Sequence, residues 1–300
     1  MKILLFGANG QVGWELQRSL SPLGELIALD RHSTDFCGDL ADLKGLAETV
    51  QRVAPDVIVN AAAYTAVDKA ESDAQTAQIV NAVAPGVLAE AARAAGAWLV
   101  HYSTDYVFDG SGSKPWVETD PTGPLNVYGK TKLEGEQLIA SRCAKHLIFR
   151  TSWVYSARGG NFAKTMLRLA QERETLNVIN DQFGAPTGAD LLADVTAQVM
   201  AQGQRLAEHA GIYHPTASGE TTWFGYEQYV VAQSIRARVA PEIIVKTILP
   251  VATSAFPTVA QRPHNSRINT AKLQQTFGLH LAPWQQGVAR MLAETSELKP

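Results

Sequence analysis

The sequence predicts an α/β fold, a Rossmann-type doubly wound parallel sheet with a smaller C-terminal region grown from it. Three observations carry this expectation. Residues 1–6 form an apolar strand that runs directly into Gly7-Ala8-Asn9-Gly10-Gln11-Val12-Gly13. Trp14, Leu16 and Leu20 follow at helical spacing. Apolar runs then alternate with helical patterns through the first half of the chain, as parallel strands joined by crossover helices require.

The glycine turn permits tight backbone geometry and close approach of a pyrophosphate to the amides opening the first helix, where the dipole favours an anion. Residues 25–29 read as the second strand, closed by Asp30 twenty residues after Gly10. A carboxylate there accepts hydrogen bonds from an adenosine ribose. A glycine trio alone is weak; a trio after a strand, before a helix, with this acid in place points to dinucleotide binding. Arg31 and His32 follow at once and suit a 2′-phosphate. Both NADH and NADPH are therefore expected to serve, with the preference open.

The later elements follow in order. Residues 57–59 form a short buried strand ending at Asn60-Ala61-Ala62-Ala63-Tyr64, where small side chains leave room for a flat ligand. A long Ala-rich helix is expected over 73–95. The strand over 98–102 ends at Ser103-Thr104-Asp105, which places hydroxyls at the C-terminal edge of the sheet, where ligands bind in such folds. A further strand covers 146–150. Beyond it, helices are expected over 188–202, 222–238 and 279–294, the last with Pro283 near its first turn, and a short strand and turn over 211–215. The division drawn is 1–150 for the dinucleotide-binding domain and 151–300 for a mainly substrate-binding region, with chain crossings back to the sheet.

Tyr128-Gly129-Lys130-Thr131-Lys132 adds chemistry. On a helix, positions i and i+4 share a face, so Tyr128 and Lys132 project together. A phenol titrates near pH 10, and a neighbouring cation lowers that value, which makes the pair an acid/base device for a carbonyl/alcohol interconversion.

Composition narrows the classes. A net charge of −3 over 300 residues gives no electrostatic reason to expect nucleic acid or an anionic membrane as partner. Two cysteines, Cys37 and Cys143, make neither a disulfide framework nor a paired metal site and suit a reducing compartment. The N-terminal apolar run is too short for a signal peptide, and no run approaches a membrane span. A cytoplasmic enzyme is expected.

The order of these motifs, closing with Arg150-Thr151-Ser152-Trp153-Val154-Tyr155, resembles the extended short-chain dehydrogenase/reductases. Longer stretches are similar to the dTDP-4-dehydrorhamnose reductase family: residues 65–71, 103–110, Asp181-Gln182-Phe183-Gly184-Ala185-Pro186-Thr187, and Gln261-Arg262-Pro263 with Ser266. The resemblance implies NAD(P)H-dependent reduction of the C4 ketone of dTDP-4-dehydro-6-deoxy-L-mannose, the last step in making dTDP-L-rhamnose for cell-surface polysaccharide. It implies Tyr128 as proton donor, Lys132 holding the nicotinamide ribose and lowering the phenol's pKa, and Thr104 on the keto oxygen. Cofactor contacts are implied at Gly7, Asn9, Gly10, Gln11, Val12, Gly13, Asp30, Arg31, Asp39, Leu40, Ala61, Ala62, Ala63, Tyr64, Tyr128 and Lys132. Substrate contacts are implied at Val67, Thr104, Asp105, Trp153 and Arg262, the arginine for the diphosphate. Some members form Mg²⁺-bridged homodimers, and Glu15 and Asp190 stand near the corresponding places. A solvated helix face is the default explanation for both carboxylates, so no metal ligands are assigned. The alternatives are another nucleotide-sugar 4-ketoreductase or epimerase of this superfamily, or a non-catalytic NAD(P)-binding regulatory subunit.

Overall fold

The computed structural model describes residues 1–237 and 243–297. Its centre is a six-stranded sheet in the order β10-β5-β4-β3-β1-β2. The strands are β1 (Lys2–Phe6), β2 (Glu25–Leu29), β3 (Val57–Asn60), β4 (Trp98–Thr104), β5 (His146–Thr151) and β10 (Gly211–Tyr213). Every neighbouring pair is parallel. Parallel strands covered on both faces read as near-continuous apolar runs. Accordingly Ile3, Leu4, Leu5 and Phe6 of β1 and Val57, Ile58 and Val59 of β3 are all buried.

Crossover helices fill both faces: α1 (Gln11–Leu20), α2 (Leu43–Val53), the short α3 (Val67–Ala70), α4 (Ala74–Gln78), α5 (Ala84–Ala95) and α6 (Val127–Arg142). One core contains Leu16 and Leu20 of α1 against Leu192, Val195 and Val199 of α8 (Ala189–Met200). The opposite core joins Leu46 and Val50 of α2, Leu88 and Ala92 of α5, and Ile139 of α6. The second half therefore contributes directly to the main layers: β10 pairs with β5, and α8 packs on α1.

The expected long helix over 73–95 is interrupted. Between α4 and α5, residues Ile79–Val83 widen into a π turn. Pro85 supplies the reason, since it cannot donate to the carbonyl four residues back, that of Asn81. The freed segment carries the buried Asn81, whose side chain accepts from Tyr64 N at 2.8 Å and donates to Tyr64 O at 3.0 Å.

The remaining elements are β6 (Val154–Tyr155), α7 (Phe162–Glu172), β7 (Thr175–Ile179), β8 (Phe183–Gly184), β9 (Thr187–Gly188), β11 (Thr221–Thr222), α9 (Trp223–Ala237), β12 (Thr247–Val251), α10 (Ala271–Phe277) and α11 (Trp284–Glu297). Arg238, expected to end the helix from 222, lies outside the described residues. Tyr155, Tyr226, Val230, Trp284, Val288 and Leu292 form a separate core for this region. Pro283 stands directly before α11, next to its first turn. Among the described residues no helix is long and apolar enough to cross a membrane.

Candidate active site

The strand order reverses at β1, with β2 on one side and β3 on the other, and this switch point is where parallel sheets open a crevice at their C-terminal ends. Gly7 follows directly on β1 and Ala61 directly on β3. Gly7 has φ +89°, and a Cβ there would lie 2.7 Å from Ala62 N, so the turn demands glycine for conformation and for space. Helix α1 starts at Gly10 with no side-chain cap and no acidic residue in its first turn. Its free amides suit an anion.

These features open into a cleft of about 1080 Å³. On the side of the Gly7 turn it is lined by Gly7, Asn9, Gly10, Gln11, Val12, Asp30, Arg31, Asp39, Leu40, Ala61, Ala62, Ala63 and Tyr64, residues for which the resemblance implies cofactor contacts. Gly13 is not among the lining residues. A Cβ on it would sit 2.0 Å from Gly7 O, so this glycine lets α1 pack onto the turn behind the cleft. Asp30 is already engaged: Asn9 Nδ2 donates to Oδ2, and His32 N donates to Oδ1 at 2.7 Å. Arg31 beside it is exposed.

The same cleft continues past Val67, Thr104, Asp105, Tyr128, Lys132 and Trp153. Helix α6 begins at Asn126, whose side chain accepts from Gly129 N at 2.8 Å and donates to Gln261 O at 2.7 Å. Tyr128 thus occupies the first turn, with Lys132 one turn later. Gly129 between them is a packing necessity, since a Cβ there would lie 2.3 Å from Tyr106 O. The hydroxyl of Thr104, at the end of β4, donates to Asp105 Oδ1 at 3.1 Å and accepts from Tyr106 N at 3.2 Å, and it lies near enough to the Tyr128 phenol to pull its pKa down. Two hydroxyls therefore converge where a carbonyl oxygen could sit.

Lys132 departs from expectation. Its Nζ donates to Tyr102 O at 2.6 Å and meets His101 Nε2 at 3.0 Å, while Asn60 engages the other ring nitrogen at 3.1 Å. Burial holds its pKa down to about 8 against the raising influence of Glu136. The phenol of Tyr128 is pushed up to about 12 by desolvation, which outweighs the lowering hydrogen bond to Thr104. In this state the ammonium does not lower the phenol's pKa, because it is directed at β4 instead. Sequence reasoning also missed His101, Asn60 and Asn81, whose partners are set only by tertiary packing. A buried network of Ser103, Glu136 and Arg150 backs the site: Ser103 donates to Glu136 at 2.5 Å, and Arg150 grips the same carboxylate at 2.6–3.1 Å.

Asp105 is buried, with one carboxylate oxygen unpartnered. Burial raises its pKa to about 7, against lowering hydrogen bonds from Ser266 and Thr104. The folded chain keeps this proton while the unfolded chain loses it, so stability falls as pH rises from about 4 to 7. Asp105→Asn should therefore be more stable than the parent by about 2–4 kcal/mol at pH 8, with the gain fading toward pH 4. Urea unfolding at pH 5 and pH 8 checks this, and an equal effect at both values would refute the buried-acid assignment.

Arg262 does not line the cleft. Its guanidinium pairs with Asp68 at 2.7 and 3.1 Å, tying the C-terminal segment to α3. The cations that do line it are Arg31, Lys69, Lys132 and Arg158. Glu15 and Asp190 do come together with Glu294 beside a small crevice, but Arg18 and Arg290 are their counter-ions. No group of three or more His, Cys, Asp or Glu placed to hold a metal occurs among the described residues.

The family model for the RmlD substrate-binding domain matches residues 1–297. The chain is also 60% identical over 294 residues to a dTDP-4-dehydrorhamnose reductase of Shigella flexneri, covering 98% of both chains. The chain belongs to the dTDP-4-dehydrorhamnose reductase family. Solved reductases of this name agree in fold. One from Clostridium acetobutylicum superposes with a TM-score of 0.89 at 36% identity, covering 97% of this chain and 98% of that one. One from Bacillus anthracis, in complex with NADP, gives 0.87 at 33% identity, covering 98% and 99%.

Proposed function

We propose that this chain reduces the C4 ketone of dTDP-4-dehydro-6-deoxy-L-mannose to dTDP-L-rhamnose, with NADPH or NADH as reductant. The observation that carries the reading is that the Thr104 hydroxyl and the Tyr128 phenol line the same cleft as the Gly7 turn. When bound, the nicotinamide supplies the hydride. Thr104 and Tyr128 hydrogen-bond the keto oxygen and steady the charge that develops there. Tyr128 holds the proton to be delivered, and a phenol kept protonated at neutral pH is in the form a reduction requires. Lys132 binds the nicotinamide ribose, a role supported by its place in the cleft lining one helical turn after Tyr128. Asp105 offers its unpartnered oxygen to a sugar hydroxyl. Residues 1–150 hold mainly the cofactor and the later residues mainly the sugar, although Arg158 and Gly159 return to the nucleotide end. The free thiols of Cys37 and Cys143 suit action in the cytoplasm.

Oxidation of NADPH and of NADH, followed by absorbance with the keto sugar generated in the cuvette, tests the reading. Product identified as dTDP-L-rhamnose supports it, whereas cofactor binding without oxidation turns attention to a regulatory role. The same assay reads cofactor choice. The internal hydrogen bonds of Asp30 and the exposed Arg31 favour acceptance of a 2′-phosphate. Arg31→Ala should raise KM for NADPH about tenfold and leave KM for NADH within twofold, the size expected for loss of one charge-assisted contact.

A further inference from the structure

Trp223 opens α9 and lines the cleft, although no sequence motif drew attention to it. Its indole stacks on that of Trp153, with ring centroids 3.6 Å apart and planes 14° from parallel. Trp153 is held in an unusual way. Its backbone is left-handed at φ +48°, uncommon for a bulky residue. Its ring lies so close to Gly184 that a Cβ there would stand 2.7 Å from Trp153 Cε2.

Trp223 is tethered in turn. Its Nε1 donates to Oε1 of the buried Gln182 at 3.0 Å, and Gln182 Nε2 donates to Thr253 Oγ1 at 3.1 Å. Thr253 donates from its hydroxyl and its amide to Asp181, at 2.5 and 2.9 Å. Asp181, Gln182 and Gly184 thereby act together: two anchor Trp223 and the third makes room for Trp153. The tether also consumes the one polar atom of the Trp223 side chain. The Trp223 side chain therefore offers the cleft carbon only.

We propose that Trp223 is a specificity-determining residue, forming with Trp153 an apolar wall that takes the C6 methyl of a 6-deoxy sugar and disfavours a C6 hydroxyl. This inference rests on the reductase reading above. A methyl group gains by leaving water for such a wall, whereas a hydroxyl placed there forfeits its hydrogen bonds. An apolar pocket discriminates against an added hydroxyl by up to about 10²-fold. A rigid indole with two side-chain torsions supplies that wall at low entropic cost.

The test compares dTDP-L-rhamnose with dTDP-L-mannose, which differ only by the C6 hydroxyl, as competitive inhibitors of keto-sugar reduction. The parent should bind the 6-deoxy compound about 10–100-fold more tightly. Trp223→Ala should reduce the ratio to within about threefold, mainly by weakening the 6-deoxy ligand, with Kd for NADPH unchanged as proof of an intact fold. Trp223→Phe, which keeps an aromatic wall without a ring N–H, should retain most of the ratio. A ratio preserved in Trp223→Ala overturns the inference, as does a parent that binds both sugars equally. Absence of keto-sugar reduction by the parent would instead count against the reductase reading itself.

Discussion

Tyr128→Phe should bind NADPH with the affinity of the parent and turn over about 10²–10⁴-fold more slowly. The ring keeps its edge-to-face contact with Tyr106, centroids 5.7 Å apart, so the local packing survives the change. What is lost is one hydroxyl, the group that lies beside Thr104 and holds the transferable proton. No neighbour replaces it as an acid of the same kind. Thr104 titrates far too high, and Lys132 is committed to Tyr102 O and His101. Cofactor affinity from fluorescence titration and turnover from NADPH oxidation separate the two roles. Parent-like turnover would remove Tyr128 from the mechanism, and weakened NADPH binding would show that the phenol contributes to the cofactor site as well.

The parts of the site readable in sequence are those built by local rules. Gly7 is demanded by one turn, and Tyr128 and Lys132 share a face because a helix has 3.6 residues per turn. Asp30 sits where the second parallel strand must end. The strands at 57, 98 and 146 are legible because a doubly covered sheet needs uninterrupted apolar runs. Sequence reasoning runs out where packing elsewhere in the fold decides what a side chain meets. Arg262 has the shape of a phosphate binder, yet Asp68, 194 residues away, claims it. Lys132 shares a helix face with the phenol, yet the strand beneath supplies a carbonyl and an imidazole within reach of its ammonium. Gly13 fits the nucleotide motif by spacing while its local task is helix packing. Trp223 has no motif because its importance comes from stacking on a residue 70 positions earlier and from a tether through Gln182.

Lys132→Met should lower kcat/KM for NADPH by about 10²-fold or more and abolish one limb of its pH profile. The buried ammonium is held down to about 8, first by desolvation, with Glu136 opposing. Holding ribose hydroxyls calls for the protonated form, so in the parent kcat/KM should fall as pH rises through about 8. Because kcat/KM reports groups on the free enzyme, this is the state whose pKa is relevant. Methionine matches the length and volume of the side chain without the charge, so the limb should vanish while the fold remains. The stability sign agrees. A lysine whose folded pKa is depressed gives its stabilisation above the unfolded value, and that is lost as pH falls through about 8. At pH 7 the parent therefore carries the cost of a buried charge that the variant lacks. Its hydrogen bond to Tyr102 O offsets part of that cost. Thermal melts at pH 7 and pH 10 should thus favour the variant more at the lower value. A variant that kept the parent's limb near pH 8 would assign that titration to another group, and parent-like NADPH affinity would deny Lys132 its place on the ribose.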